Sequence, residues 1–289
     1  MRNFTKVPYK KRRPDHIRSQ LQAPGLKARK SLGQNFLIDE VARDCIMAAA
    51  SLSKQDTVLE IGPGPGILTS VLVEKTGSVI AVELDVRLAV KLQNKFAGRP
   101  NFRVVNADIL KVDLRELLPG KDPYKVVGNI PYYITSPILH YFMFAGRRPE
   151  LMVIMMQKEV AEEVTAAQGK MSYLSAAMQL LSRPEIVCRV PAASFYPQPK
   201  VDSAVVRFNM LPEPVARVGD KDSFLQFLHA GFAAPRKQMR NSLAIGLKKE
   251  PGRALALLEK AGISPELRPG ALSLADWSRL YRACGGRPC

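Results

Sequence analysis

Val58-Leu-Glu-Ile-Gly-Pro-Gly-Pro-Gly66 decides the fold: a short apolar run passes into three alternate glycines, and a helix-like stretch over residues 68–75 follows at once. A buried strand that turns into a helix through glycines is the opening unit of an open α/β sheet, whose ligands lie at the carboxyl ends of its strands. Outward from it, strand candidates recur at 79–83, 103–106, 125–128, 151–156 and 204–208, and helix-like segments lie at 87–96, 136–144 and 159–167. That alternation predicts a parallel sheet covered by helices. Residues 211–220, with Pro212, Pro214 and Gly219, break the periodicity and read as a linker. Beyond it, 223–232, 240–248, 253–261 and 274–283 carry apolar residues at helical spacing. The expected organisation is a basic arm over 1–30, an α/β domain over 31–210, the linker, and a smaller all-helical domain over 221–289.

The glycines do not suit a nicotinamide dinucleotide. Its G-x-G-x-x-G fingerprint needs a third glycine at position 67 or 69, where Ile67 and Thr69 stand. The spacing present, Glu60-x-Gly62-x-Gly64-x-Gly66, looks like motif I of class I (Rossmann-like) methyltransferases. Glu83 then ends the next strand, where a carboxylate can accept from both ribose hydroxyls of an adenosyl cofactor. Asp108 ends the third strand, placed for the amino group of that cofactor's adenine, with Leu84 and Ile109 able to sandwich the ring.

The fourth strand runs into Asn129-Ile-Pro-Tyr132, a form of the (Asp/Asn/Ser)-Pro-Pro-(Tyr/Phe) tetrapeptide of amino-group methyltransferases. An aromatic exocyclic amine is a weak nucleophile because its lone pair is delocalised into the ring. Two acceptors aimed at its hydrogens favour the pyramidal, reactive form. Asn129 offers a side-chain carbonyl, and Pro131 restricts Ile130 so that its backbone carbonyl is fixed. Tyr132 can stack on the target base. A sulfonium methyl is already activated, so no strong base is needed. His16, His140 and His229 accordingly lie outside every motif and read as structural.

Forty-three Lys and Arg against 26 Asp and Glu give a net charge of +17, which makes a polyanion the leading partner. Residues 1–30 hold ten of the basic side chains against Asp15 alone, either as a phosphate-contacting arm or as a solubilising tail. Cys45, Cys188, Cys284 and Cys289 show no metal-ligand spacing and no sign of a disulfide scaffold, which fits a reducing cytoplasm. No metal is expected, and apolar runs such as 151–156 are too short to span a membrane.

With these motifs in place the chain resembles the ribosomal RNA adenine dimethylase family, over about residues 30–280. The match also takes in Ser31-Leu-Gly-Gln-Asn-Phe-Leu-Ile-Asp39, Glu83-Leu-Asp85, Gln157-Lys-Glu159, Phe195-Tyr-Pro-Gln-Pro-Lys-Val-Asp-Ser203 and Arg240-Asn-Ser-Leu243. The resemblance implies S-adenosylmethionine as cofactor. Its substrate would be two adjacent adenosines near the 3′ end of small-subunit rRNA, within an assembling 30S particle and acted on by a monomer. It also implies that Gln34, Asn35 and Leu37 close over the cofactor beside Gly62, Gly64, Glu83, Asp108 and Asn129, and that Phe195 faces the target adenine opposite Tyr132. Tyr133 departs from the pattern, standing where the family commonly has Asn, and Pro235 stands where an Arg is expected ahead of Arg236, Lys237 and Arg240. Two rivals remain: a large-subunit rRNA adenine methylase of the antibiotic-resistance type, and a ribosome-assembly or transcription factor on the same fold.

Overall fold

A computed structural model describes residues 28–120, 123–144, 146–216 and 218–286. Its strands, in chain order, are β1 (Phe36–Leu37), β2 (Thr57–Ile61), β3 (Ser78–Glu83), β4 (Phe102–Asn106), β5 (Lys125–Asn129), β6 (Leu151–Gln157), β7 (Ser182–Val190), β8 (Phe195–Tyr196) and β9 (Ser203–Met210). Every residue of β2 is buried, as are the first four of β5 and the first six of β6; strands covered on both faces need such continuous apolar runs. Seven strands form one sheet in the order β4-β3-β2-β5-β6-β9-β7.

The pairs β2–β3, β3–β4, β2–β5 and β5–β6 are parallel as expected, but β9 runs antiparallel to β6, so the sheet is mixed. Strand order reverses between β2 and β5, and the crevice outside the carboxyl ends there is where such sheets bind ligands. Register brings the motifs together at that edge, because Ile61 pairs with both Val82 and Gly128. A separate two-stranded ribbon pairs β1 with β8, Phe36 opposite Tyr196 and Leu37 opposite Phe195.

Helix Glu40–Ala50 starts at Asp39, whose carboxylate accepts from the N–H groups of Val41 and Ala42 and also receives the Ser194 hydroxyl at 2.8 Å. Its Ile46 and Met47 enter one buried cluster with Val127, Met155 and Val205. Val187 and Cys188 pack on the same cluster, and Cys188 is joined to Cys45 by a disulfide, their Cα atoms 6.8 Å apart. This corrects the expectation drawn from cysteine spacing: the partners are 143 residues apart and only the packing of helix on sheet reveals them. The reducing compartment loses that support.

The chain divides into two compact units: the described residues up to Ala161 with Glu185–Met210, and Glu162–Pro184 with the described residues from Leu211 onward. The domain expected over 31–210 is therefore interrupted. Segment 162–184 carries helix Tyr173–Leu181, buried at Ala176, Ala177, Met178, Leu180 and Leu181, and it groups with the helices of the second unit. Those are Lys221–Gly231, Met239–Leu247, Pro251–Lys260 and Leu274–Ala283, as the periodicity indicated. Trp277, fully buried, stacks on Phe232 and meets Phe227 edge-on. Gly231 makes that possible, since a Cβ there would lie 2.3 Å from the indole. The linker's N–H groups at Leu211 and Val215 donate to the Leu181 and Leu180 carbonyls. His140 and His229 pack on Phe144 and Tyr173. Residues 1–27 of the basic arm, His16 among them, lie outside the described residues.

Candidate active site

Gly62, Gly64 and Gly66 all have positive φ (62°, 57° and 85°), the region that penalises side chains, so the spacing noticed in the sequence is a conformational requirement. The loop is tied down from two sides. The Glu83 carboxylate, 5% exposed, accepts the Gly64 N–H at 3.0 Å and the Asp85 N–H at 2.9 Å, and the Lys95 ammonium donates to the Pro65 carbonyl at 3.3 Å. Burial pushes the Glu83 pKa up, and these two backbone bonds oppose the shift.

One pocket is lined by Gly33, Gln34, Asn35, Leu37, Gly62, Gly64, Glu83, Leu84, Asp108, Ile109 and the whole of Asn129 to Tyr132. All the cofactor candidates thus converge, with four of the five catalytic candidates. Asn129 ends β5 and donates through Nδ2 to the Asn35 carbonyl at 3.3 Å. Asp108 caps the turn Ile109–Lys111 by accepting the Leu110 N–H. The Tyr132 hydroxyl meets the Ser203 hydroxyl at 2.7 Å, which anchors the ring; burial raises the Tyr132 pKa.

Phe195 is the exception. It is 1% exposed, belongs to the core cluster and does not line the pocket. Opposite Leu37 in the β1–β8 ribbon, it shares that residue's buried cluster, and this structure does not bring it to the pocket beside Tyr132.

Sequence reasoning missed the polar hub beneath the rim. The Asp85 carboxylate, fully buried, accepts from Arg87 at 2.7 and 3.1 Å and from Gln34 Nε2 at 3.2 Å, with Arg29 at 3.8 Å. Arg87 foremost, then Gln34, holds its pKa down at about 2. Asp85 also caps helix Val86–Lys95, a signal that an acid before a helix could have supplied. Glu60, given no role in the sequence, is buried beneath the loop, takes the Thr69 hydroxyl on Oε2 at 2.7 Å, and leaves Oε1 without a hydrogen-bond partner among the described residues. Burial pushes its pKa up to about 8, so its carboxyl is largely protonated at neutral pH.

Glycine loop, ribose-side acid and Asn-Ile-Pro-Tyr tip, set at the reversal point of this sheet, define a class I methyltransferase. The profile of the family described as ribosomal RNA adenine dimethylase matches residues 25–284. The chain is 44% identical over 265 residues to ribosomal RNA small subunit methyltransferase A of Dehalococcoides mccartyi, covering 91% of each chain. It is 41% identical over 281 residues to the protein of that name from Pelotomaculum thermopropionicum, covering 92% of this chain and 95% of that one. Among solved structures, a dimethyladenosine transferase from Plasmodium falciparum superposes with a TM-score of 0.74 at 26% identity, over 87% of this chain and 99% of that one. The 23S rRNA methyltransferase ErmE gives 0.68 at 33% identity, over 86% and 99%. The chain belongs to the ribosomal RNA adenine dimethylase family.

Proposed function

We propose that this protein transfers methyl groups from S-adenosylmethionine to the exocyclic amines of two adjacent adenosines near the 3′ end of 16S rRNA, as a monomer acting on an assembling 30S particle in the cytoplasm. One observation carries the reading: Asn129 opens into the pocket lined by Gly62, Glu83 and Asp108, so amine acceptors and cofactor residues share one space.

The pocket fits an adenosyl cofactor. Its glycine backbone presents no side chains, and the buried Glu83 carboxylate, steadied by two N–H groups, retains lone pairs for ribose hydroxyls. Gln34, Asn35 and Leu37 would cover it, with Asp108 at the adenine. Bound there, S-adenosylmethionine supplies an activated methyl group. The chain's own part is placement, an effect worth up to about 7–11 kcal/mol. Asn129 Oδ1 and the Ile130 carbonyl accept the amine hydrogens, Tyr132 holds the base by its face, and the displaced proton leaves to water.

The relatives named for the small subunit are more similar in sequence, at 41–44% identity, than ErmE at 33%, which favours the small-subunit substrate. An intact Asn129–Tyr132 tip argues for catalysis over a purely architectural factor. Incubating the protein with labelled cofactor and under-methylated 30S or 50S particles tests both points: label in 30S RNA supports the reading, label confined to 50S RNA would transfer it to the other subunit, and no label would demote catalysis.

A further inference from the structure

Tyr132 and Tyr133 are consecutive in the 3-10 turn Tyr132–Ile134, where successive side chains diverge by about a third of a turn. Tyr132 is half-buried and held by Ser203, whereas Tyr133 is 61% exposed at the rim of the same pocket. Its aromatic body and polar tip leave a broad apolar face open beside the pocket.

The exposed ring is nonetheless held in place. Gly33 has φ +61° and no side chain; a Cβ there would lie 3.0 Å from Tyr133 Cε1 and 3.2 Å from Cδ1, so the ring rests against the glycine backbone. Gly33 is itself fixed, its N–H donating to the Lys30 carbonyl and its carbonyl receiving Asn35 Nδ2. With Phe195 buried in the core, Tyr132 and Tyr133 are the tyrosines of the Asn-Ile-Pro-Tyr-Tyr tip that line the pocket.

Resting on the proposed rRNA substrate, we infer that Tyr133 is a stacking platform for a second, unpaired RNA base: the neighbour of the adenosine held in the pocket. A platform fixed before binding costs little ordering entropy, and every base presents a π-face to it. Because the flanking base stacks on Tyr133 while its neighbour occupies the pocket, the subsite favours a target followed or preceded by another unpaired base.

The test is equilibrium binding of the full chain to an unmethylated RNA hairpin whose loop carries two adjacent adenosines, and to the same hairpin with either adenosine made abasic. Y133A and Y133N should weaken binding about ten- to a hundredfold, and Y133F should stay near wild type. Removing the flanking base should weaken wild type similarly and leave Y133A unaffected. Thermal unfolding and circular dichroism, matching wild type in all variants, report that the fold is intact. Wild-type affinity in Y133A, or a flanking-base loss that adds fully to the Y133A loss, would overturn the platform. Wild type that binds the hairpin but leaves under-methylated 30S particles unmethylated would instead count against the enzymatic reading.

Discussion

Asn129 Nδ2 donates to the backbone carbonyl of Asn35, 3.3 Å away and 94 residues earlier in the chain. A side-chain amide that spends its donor on this carbonyl keeps its oxygen as an acceptor, and an acceptor is what an amine nucleophile requires. In the proposed mechanism, the segment that would close over the cofactor thus also positions the acceptor. Asn129→Ala should therefore lower kcat by about two to three orders of magnitude, the range for loss of one preorganised transition-state partner, while cofactor affinity falls only modestly. Single-turnover assays beside calorimetric titration separate the two; normal turnover would remove Asn129 from the mechanism.

Glu83 lines the same pocket and is proposed to hold the cofactor's ribose. Losing even one charge-assisted hydrogen bond costs about 1.5–3 kcal/mol, so Glu83→Ala should raise the cofactor dissociation constant at least about tenfold before it touches kcat at saturation. A variant with unaltered affinity and reduced kcat would place Glu83 in the chemistry instead.

Glu60 gives a dependence on pH. Its pKa stands near 8 in the fold against 4.5 when free, so the native state holds a proton that the unfolded chain releases between those values. Its contribution to stability is complete below about pH 4.5 and is lost as pH rises toward 8. Glu60→Gln, which keeps the shape without the titration, should flatten the decline of Tm across that window. Parallel Tm profiles for the two proteins would show that Glu60 does not titrate there.

Phe195 should respond as a core residue. Phe195→Ala leaves a cavity among Leu37, Met155 and Val205, at a cost of about 3–5 kcal/mol in chemical denaturation. Retained stability with a selective loss of RNA affinity would return the ring to the target base.

The glycine spacing, the acids at strand ends and the Asn-Ile-Pro-Tyr tip were legible because each is local: φ, strand polarity and a proline act over a few residues. Phe195 was less legible, because its motif fixes sequence but not burial, and its burial here goes with pairing to Leu37, 158 residues earlier. The Cys45–Cys188 bond and the Asp85 hub are likewise products of tertiary approach, which no spacing encodes. Segment 162–184 escaped its unit because helix Tyr173–Leu181 is apolar on most of its surface, and such a helix does not announce which core it joins.

The most direct measurement is mass spectrometry of 16S rRNA from under-methylated 30S particles treated with S-adenosylmethionine and either the wild-type chain or Asn129→Ala. Dimethylated adenines at two adjacent positions near the 3′ end with the wild type, and unmodified adenines with the variant, are the predicted result. Methylation undiminished by the loss of Asn129, or absent with both proteins, would contradict an amine acceptor at the tip of β5.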